Sequence, residues 1–243
     1  MRLKCIFSTE KIPIYYHMMF VSMIKEALKA EDEEYLNKLY YFENKNNKKS
    51  KDFSFAVFLN DYEIIENEIK INGSVDFNVS SPDIEFIMKF YNGILKKKIF
   101  EYKNKYKIEK IKISMIHEKC IKHKKLCFKT LSPISIKNKK GEALNPKDHE
   151  YSNEFNYIVD KILENYRGYG LKEKVDFTPV LMKKKVVKEE IEDFKKVSGK
   201  NIYYVEAYSG IFKLCGDALD LKDIYMLGVG FRRNQGFGMI EVV

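Results

Sequence analysis

At 243 residues, 45% of them hydrophobic and with 17 Phe and 17 Tyr, the chain can bury one large core or two smaller ones, which excludes a disordered tail or linker. The net charge of +9, from 44 Lys and Arg against 35 Asp and Glu, favours a polyanionic partner, nucleic acid before an acidic membrane. The four cysteines do not form a disulfide framework, no apolar run approaches the roughly 20 residues of a membrane span, and Met1-Arg2-Leu3-Lys4 enters a strand-like segment rather than a signal peptide, so a cytoplasmic location is expected.

Arg2 to Ser8 alternates as a strand, and Ile12-Pro13-Ile14 leads into a helix over Tyr15–Leu28, with Tyr16, Met19, Phe20, Met23, Ile24, Ala27 and Leu28 at helical spacing. A second helix runs from Asp32 to about Tyr41, its acidic residues in the first turn where the helix dipole favours them. After a basic loop over Asn44–Lys51, Phe53–Leu59 is a strand, and Glu68–Val79 supplies more strand signal. Ser81-Pro82-Asp83 opens a third helix with Ile84, Ile87, Met88, Tyr91 and Leu95 as its inner stripe, and Ile108–Met115 is a strand. With the two leading helices counted as one element, this is the split βαβ pattern of a ferredoxin-like domain.

The second half opens at Cys127–Ile136, a strand broken by Ser132-Pro133. An amphipathic helix follows from about Asp148 to Tyr166, ended by Gly168 and Gly170. Strands are expected at Val175–Leu181, Val186–Glu192 and Ile202–Tyr208, and a poor helix over Phe212–Leu227, with Gly216 inside and Leu214, Leu219 and Leu221 to bury. The spacing therefore predicts an α+β chain of two tandem ferredoxin-like domains, 1–124 and 125–243.

The most distinctive stretch lies near the end, where Gly228-x-Gly230, five residues and Gly236-x-Gly238 enclose Arg232, Arg233, Asn234 and Gln235. Four of the chain's 12 glycines fall here. Glycine uncovers backbone N–H groups and permits positive φ, and arginine adds charge-assisted, potentially bidentate phosphate contacts, so this reads as a phosphate-tracking loop feeding a final strand. A dinucleotide fingerprint lacks its third glycine, replaced by Arg233, and its βαβ unit. A Walker A loop lacks the Gly-Lys-Ser/Thr ending. The plain alternative is a glycine-rich hairpin at a domain edge.

On this loop, with Leu131-Ser132-Pro133-Ile134 opening the second half and Phe53-Ser54-Phe55 after the early helices, the chain resembles the CRISPR-associated repeat-RNA processing endoribonucleases, the Cas-six-type members of the RAMP superfamily. The resemblance runs nearly end to end. It implies two tandem ferredoxin-like domains with a C-terminal glycine-rich loop, binding of CRISPR repeat precursor RNA, and metal-independent cleavage with no cofactor. In that chemistry a 2′-hydroxyl attacks the adjacent phosphate, giving a 2′,3′-cyclic phosphate and a 5′-hydroxyl, which calls for a base, an acid and a cation at the phosphorane. Effector-complex subunits are the implied protein partners, and the chain is expected as a monomer or homodimer with no membrane association.

Many relatives carry a histidine in a Leu-His pair at the end of the early helices, where this chain has Leu39-Tyr40. Tyrosine, with a reference pKa of ~10, is a poor base at neutral pH unless basic neighbours lower it, though it can orient the nucleophile or donate a proton. His17, at the start of the first helix, is the candidate substitute, and its alternative is a helix-start side chain that only hydrogen-bonds. Lys25, two helical turns on and on roughly the same face, is a further catalytic candidate near the position where some relatives carry tyrosine, and Lys48, with Lys49 and Lys51, is a candidate to hold the phosphate.

RNA contacts are expected from Gly228, Gly230, Arg232, Arg233, Asn234, Gln235, Gly236 and Gly238, and from Lys129, Lys137 and Lys139, with Lys140 and the Lys183–Lys185 run as further basic clusters; simple solvation is the alternative for all the lysines. His117, Cys120, His123 and Cys127 have zinc-like spacing, but the segment joins two strands and no metal is expected. His149 is read as a cap or surface residue. A non-catalytic guide-RNA-binding subunit of the same superfamily is the second functional reading, and an unrelated basic α+β binding protein the more distant one.

Overall fold

The computed structural model of the chain describes residues 1–42, 45–46, 50–190 and 202–243. The first half contains β1 (Arg2–Ser8), β2 (Lys11–Pro13), α1 (His17–Glu31), α2 (Glu33–Tyr40), β3 (Tyr41–Phe42), β4 (Lys45–Asn46), β5 (Ser54–Leu59), β6 (Tyr62–Ile65), β7 (Glu68–Ile71), β8 (Val75–Ser80), α3 (Ile84–Lys96), β9 (Ile99–Tyr102) and β10 (Tyr106–Ile116). The second contains β11 (Lys125–Thr130), α4 (Tyr151–Arg167), β12 (Asp176–Glu190), β13 (Ile202–Cys215), α5 (Ala218–Leu227), a 3-10 turn (Arg233–Gln235) and β14 (Ile240–Val242).

Two antiparallel sheets carry the architecture, one ordered β5-β8-β1-β10-β9 and the other β12-β13-β11-β14. With the extra edge strand β9 set aside, each sheet runs second, third, first, fourth in the order of a βαββαβ unit. The chain is therefore α+β, with two tandem ferredoxin-like units.

Each sheet buries one face under its own helices. Leu3, Cys5 and Phe7 alternate along β1 and meet Phe20, Ile24 and Ala27 of α1, while Phe77 stacks on Phe20 with ring centroids 5.5 Å apart. In the second half Phe128, Phe177 and Phe212 stack beneath Phe155 of α4 and Leu221 and Ile224 of α5. Each fully buried ring or branched aliphatic contributes about 1.5–3 kcal/mol of hydrophobic free energy. No helix among the described residues is long and apolar enough to cross a membrane.

Several local expectations change. Asp32 and Asp83 act as N-caps, accepting from Tyr35 N at 2.9 Å and Phe86 N at 3.1 Å, so α2 and α3 begin one residue after each and Pro82 lies outside the helix. The inner stripe of α3 is Phe86, Ile87, Phe90 and Ile94, whereas Ile84, Met88 and Leu95 are exposed. Ile87 is buried as expected and Tyr91 packs against the core, but the buried face is turned toward Phe86 and Phe90, which removes more apolar area from water.

The two strands expected around Lys183–Lys185 are one continuous strand, β12, paired with β13 almost throughout its length. Gly216 lies outside the last helix, which starts after the Asp217 cap, and Leu219 faces solvent while Leu214 and Leu221 are buried.

The halves are joined through Arg2, which is buried although charged. It donates to Glu241 Oε2 at 2.6 Å, Tyr225 Oη at 2.9 Å, Ser80 Oγ at 3.1 Å and the Ile240 carbonyl. Its guanidinium also lies 4.0 Å from the Tyr225 ring centroid. These bonds run from β1 of the first sheet to α5 and β14 of the second unit, and they bring the glycine loop against α1.

Candidate functional site

The loop between α5 and β14 is pinned at both ends. Val229 N donates to Gly238 O at 2.9 Å across its neck, while Phe231 N donates to Ser135 O at 2.9 Å and Gly238 N to Pro133 O at 2.8 Å. Gly236 has φ +86°, and a Cβ there would fall 2.6 Å from Cδ2 of His17 and 3.0 Å from Cε2 of Phe55. At Gly238, φ +69°, a Cβ would overlap the Val229 carbonyl. These two glycines serve close packing and left-handed backbone. The N–H groups of Val229, Phe231 and Gly238 are spent inside the protein.

The paired arginines separate. Arg233 is 2% exposed, and its guanidinium donates to Leu227 O at 2.6 Å, Ser50 Oγ at 2.7 Å and Lys51 O at 3.2 Å. Burial pushes it down to about 10, against the pull of Asp52, so it is still charged at neutral pH. It fastens the loop to residues 50–51, and the expectation of Arg233 as a phosphate ligand gives way to this internal role. Arg232, at φ +60°, donates to Gln235 Oε1 at 2.9 Å and sits over the Tyr203 ring, 5.2 Å from its centroid.

His17 is placed beneath the loop rather than in the open. Its side chain is 9% exposed, its ring lies 5.4 Å from that of Phe237, and Nδ1 is 2.7 Å from Oε1 of Glu189, a close contact that is not aligned as a hydrogen bond. Glu189 is fully buried near the end of β12. The three elements α1, β12 and the loop therefore meet at this imidazole.

Beside it a cleft of about 520 Å³ opens between α1, the end of α2, the loop and α4. Its wall carries Lys25, Lys51, Lys161, Arg232 and Arg233 and, among the described residues, no carboxylate. Tyr40 is part of this wall, with Lys25 Nζ 4.7 Å and Lys51 Nζ 5.6 Å from the ring centroid. Burial lowers the Lys25 ammonium below the usual lysine value, which favours its neutral form. Burial also raises the Tyr40 phenol, whose hydroxyl has no hydrogen-bond partner among the described residues. The basic neighbours do not offset that desolvation, so Tyr40 keeps its proton and can donate it but cannot serve as a base.

Of the expected site residues, Lys25, Tyr40, Gly230, Arg232, Asn234 and Gln235 line the cleft, and Lys51 joins them. Lys48 and Lys49 lie outside the described residues. Lys137 stands next to Tyr203, donating to its Oη at 3.3 Å. Exposed Lys129 is on β11, and Lys139 borders a separate depression with His149, Glu150 and Glu154. Lys184 pairs with Glu206 at 2.7 Å. Among the described residues no three His, Cys, Asp or Glu side chains converge as metal ligands, so the zinc-like spacing of His117, Cys120, His123 and Cys127 does not become a cluster.

The C-terminal model of the CRISPR-associated protein Cas6 family matches residues 116–242, from the end of β10 through the whole second sheet and the glycine loop. The chain belongs to the Cas6 family. A relative, the CRISPR-associated endoribonuclease Cas6 1 of Methanocaldococcus jannaschii, is 25% identical over 241 residues, spanning 94% of this chain and 86% of its own.

Among solved structures, one described as the characterization of a Cas6-related gene from Pyrococcus furiosus has a TM-score of 0.82 at 21% identity, covering 100% of this chain and 98% of its own. Another, described as a RAMP protein binding different RNA substrates, has a TM-score of 0.80 at 18% identity, covering 100% and 99%. These two likenesses concern the fold.

Against this Cas6 background, the site residues that sequence reasoning missed are Ser50 and Lys161 in the cleft and Glu189 beneath the loop. All three come from elements far apart in the chain, and nothing in their local spacing marks them.

Proposed function

We propose that this Cas6 protein binds CRISPR repeat precursor RNA in the cleft and cleaves it within the repeat. The observation that carries the reading is a cleft whose wall holds Lys25, Lys51, Lys161 and Arg232 and, among the described residues, no carboxylate, with a protonated tyrosine in the same wall. The relative from Methanocaldococcus jannaschii, an endoribonuclease by name, supports it. The division of the chain at 124/125 and transfer of the product to effector subunits belong to the same proposal.

In this reading Lys25, part of it neutral because burial disfavours its charge, removes the proton from the 2′-hydroxyl. The 2′-oxygen bonds to phosphorus, the bond from phosphorus to the 5′-oxygen breaks, and Tyr40 supplies the proton that the leaving oxygen needs. Lys51 holds the charge that builds on the phosphorane, and Asn234 and Gln235 hydrogen-bond the backbone beside it. These steps need no metal. His17, buried against Glu189 and Gly236, positions the loop.

Incubation of the protein with its repeat RNA in EDTA tests this directly. The expected result is one defined cut leaving a 2′,3′-cyclic phosphate and a 5′-hydroxyl. A second reading, an RNA-binding subunit that does not cut, is favoured by one observation: none of the four histidines lines the cleft. Tight binding with the RNA left intact would select it.

A further inference from the structure

At the rim of the cleft, Arg232 and Lys137 converge on a single aromatic ring. The Arg232 guanidinium lies 5.2 Å and the Lys137 ammonium 5.8 Å from the centroid of Tyr203, and Lys137 also donates to the tyrosine hydroxyl. Every partner of the two cations is neutral: the ring, its hydroxyl, and the amide oxygen of Gln235. Neither has a carboxylate partner among the described residues, although lysines on the neighbouring strands do, as in Lys184 with Glu206. The buried carboxylate of Glu189, opposite Tyr203 across β12 and β13, contacts His17.

Like charges gathered without a counter-charge repel, and an anion between them relieves that cost. The backbone holds the arrangement in place. Ser135, two residues before Lys137, accepts from Phe231 N, next to Arg232, and donates from its hydroxyl to Glu206 O on the strand that carries Tyr203. Arg232 lines the cleft and Lys137 does not, so the pair sits at the edge of the cleft on the second unit.

We propose that Arg232 and Lys137, gathered by Tyr203, form a subsite for an RNA phosphate at the edge of the cleavage cleft. The inference rests on the reading of the cleft as an RNA-binding site and extends it by a positioning residue, Tyr203, that acts through the two cations.

The test is a salt titration of binding to repeat RNA made uncleavable by a 2′-deoxy nucleotide at the scissile position. Each lost phosphate contact on a single strand flattens the plot of log K against log salt by about 0.7. Lys137→Gln is expected to flatten it by about that amount and Tyr203→Leu by at least as much. Tyr203→Phe, which keeps the ring, is expected to fall between wild type and Tyr203→Leu. Lys29→Gln, a paired lysine on α1, serves as the distant control.

Unchanged slopes for Lys137→Gln and Tyr203→Leu, with wild type still preferring repeat over scrambled RNA, would overturn the subsite and leave the cleft reading in place. A wild-type protein that shows no such preference would overturn the cleft reading, and the subsite with it.

Discussion

Lys25 and Tyr40 meet because α1 and α2 fold back on one another at Asp32, and burial then drives their proton affinities in opposite directions. One side chain is made easier to deprotonate and the other harder, the pattern expected of a base and an acid in one site. If Lys25 is the base, the cleavage rate at saturating RNA rises with pH through its lowered pKa. Lys25→Arg, which keeps the charge but cannot give up its proton, should then be as slow as Lys25→Ala, about 10²–10⁴-fold below wild type. Near-normal cleavage by Lys25→Arg would instead make Lys25 a cation only. Tyr40→Phe should show a loss in the same range in a single-turnover assay. For His17→Ala, the positioning role predicts weaker RNA binding with a rate at saturation within a few-fold of wild type. Loss of rate with unchanged affinity would return His17 to proton transfer.

Among elements, the glycine loop is the part whose composition was most legible and whose use was least so. Clustered glycines and arginines mark a special loop, yet Gly236 and Gly238 are required by the imidazole and the carbonyl packed against them. Gly236→Ala combines a positive φ with a steric overlap, so it should cost about 1–3 kcal/mol. That would lower Tm by roughly 2–4 °C per kcal/mol for a chain of this size and weaken RNA binding as the loop shifts. Thermal melts together with RNA titration check both effects, and an unaltered Tm would show that the loop yields freely. The rotation of the buried stripe on α3 and the fusion of two expected strands into β12 share one cause. Where two faces of an element are about equally apolar, or both face solvent, periodicity does not choose between them.

For the whole molecule, the relation between the two units rests heavily on Arg2, a charged residue read from the sequence only as the start of a strand. Its guanidinium reaches Tyr225, Ile240 and Glu241 across the interface. Arg2→Met fills much of the volume but leaves those acceptors without their donor, which typically costs about 3–5 kcal/mol for a broken buried pair. Denaturant unfolding followed by two probes, one in each unit, should show the transitions moving apart. Coincident transitions at the wild-type midpoint would mean that the interface holds without it.

The order of the main strands and helices and the two repeated units were determined by the sequence alone, because alternation and helical spacing are local properties, and glycine clustering marked the terminal loop as unusual. Lys25 and Tyr40 were named as candidates from a family pattern placed on nearby positions. Only the tertiary structure decided that Arg233 turns inward while Arg232 turns out, that His17 lies under the loop against Glu189, and that Lys161 closes the far side of the cleft. Those outcomes depend on burial and on partners drawn from the other half of the chain, and desolvation acts on a side chain only after distant segments have closed around it.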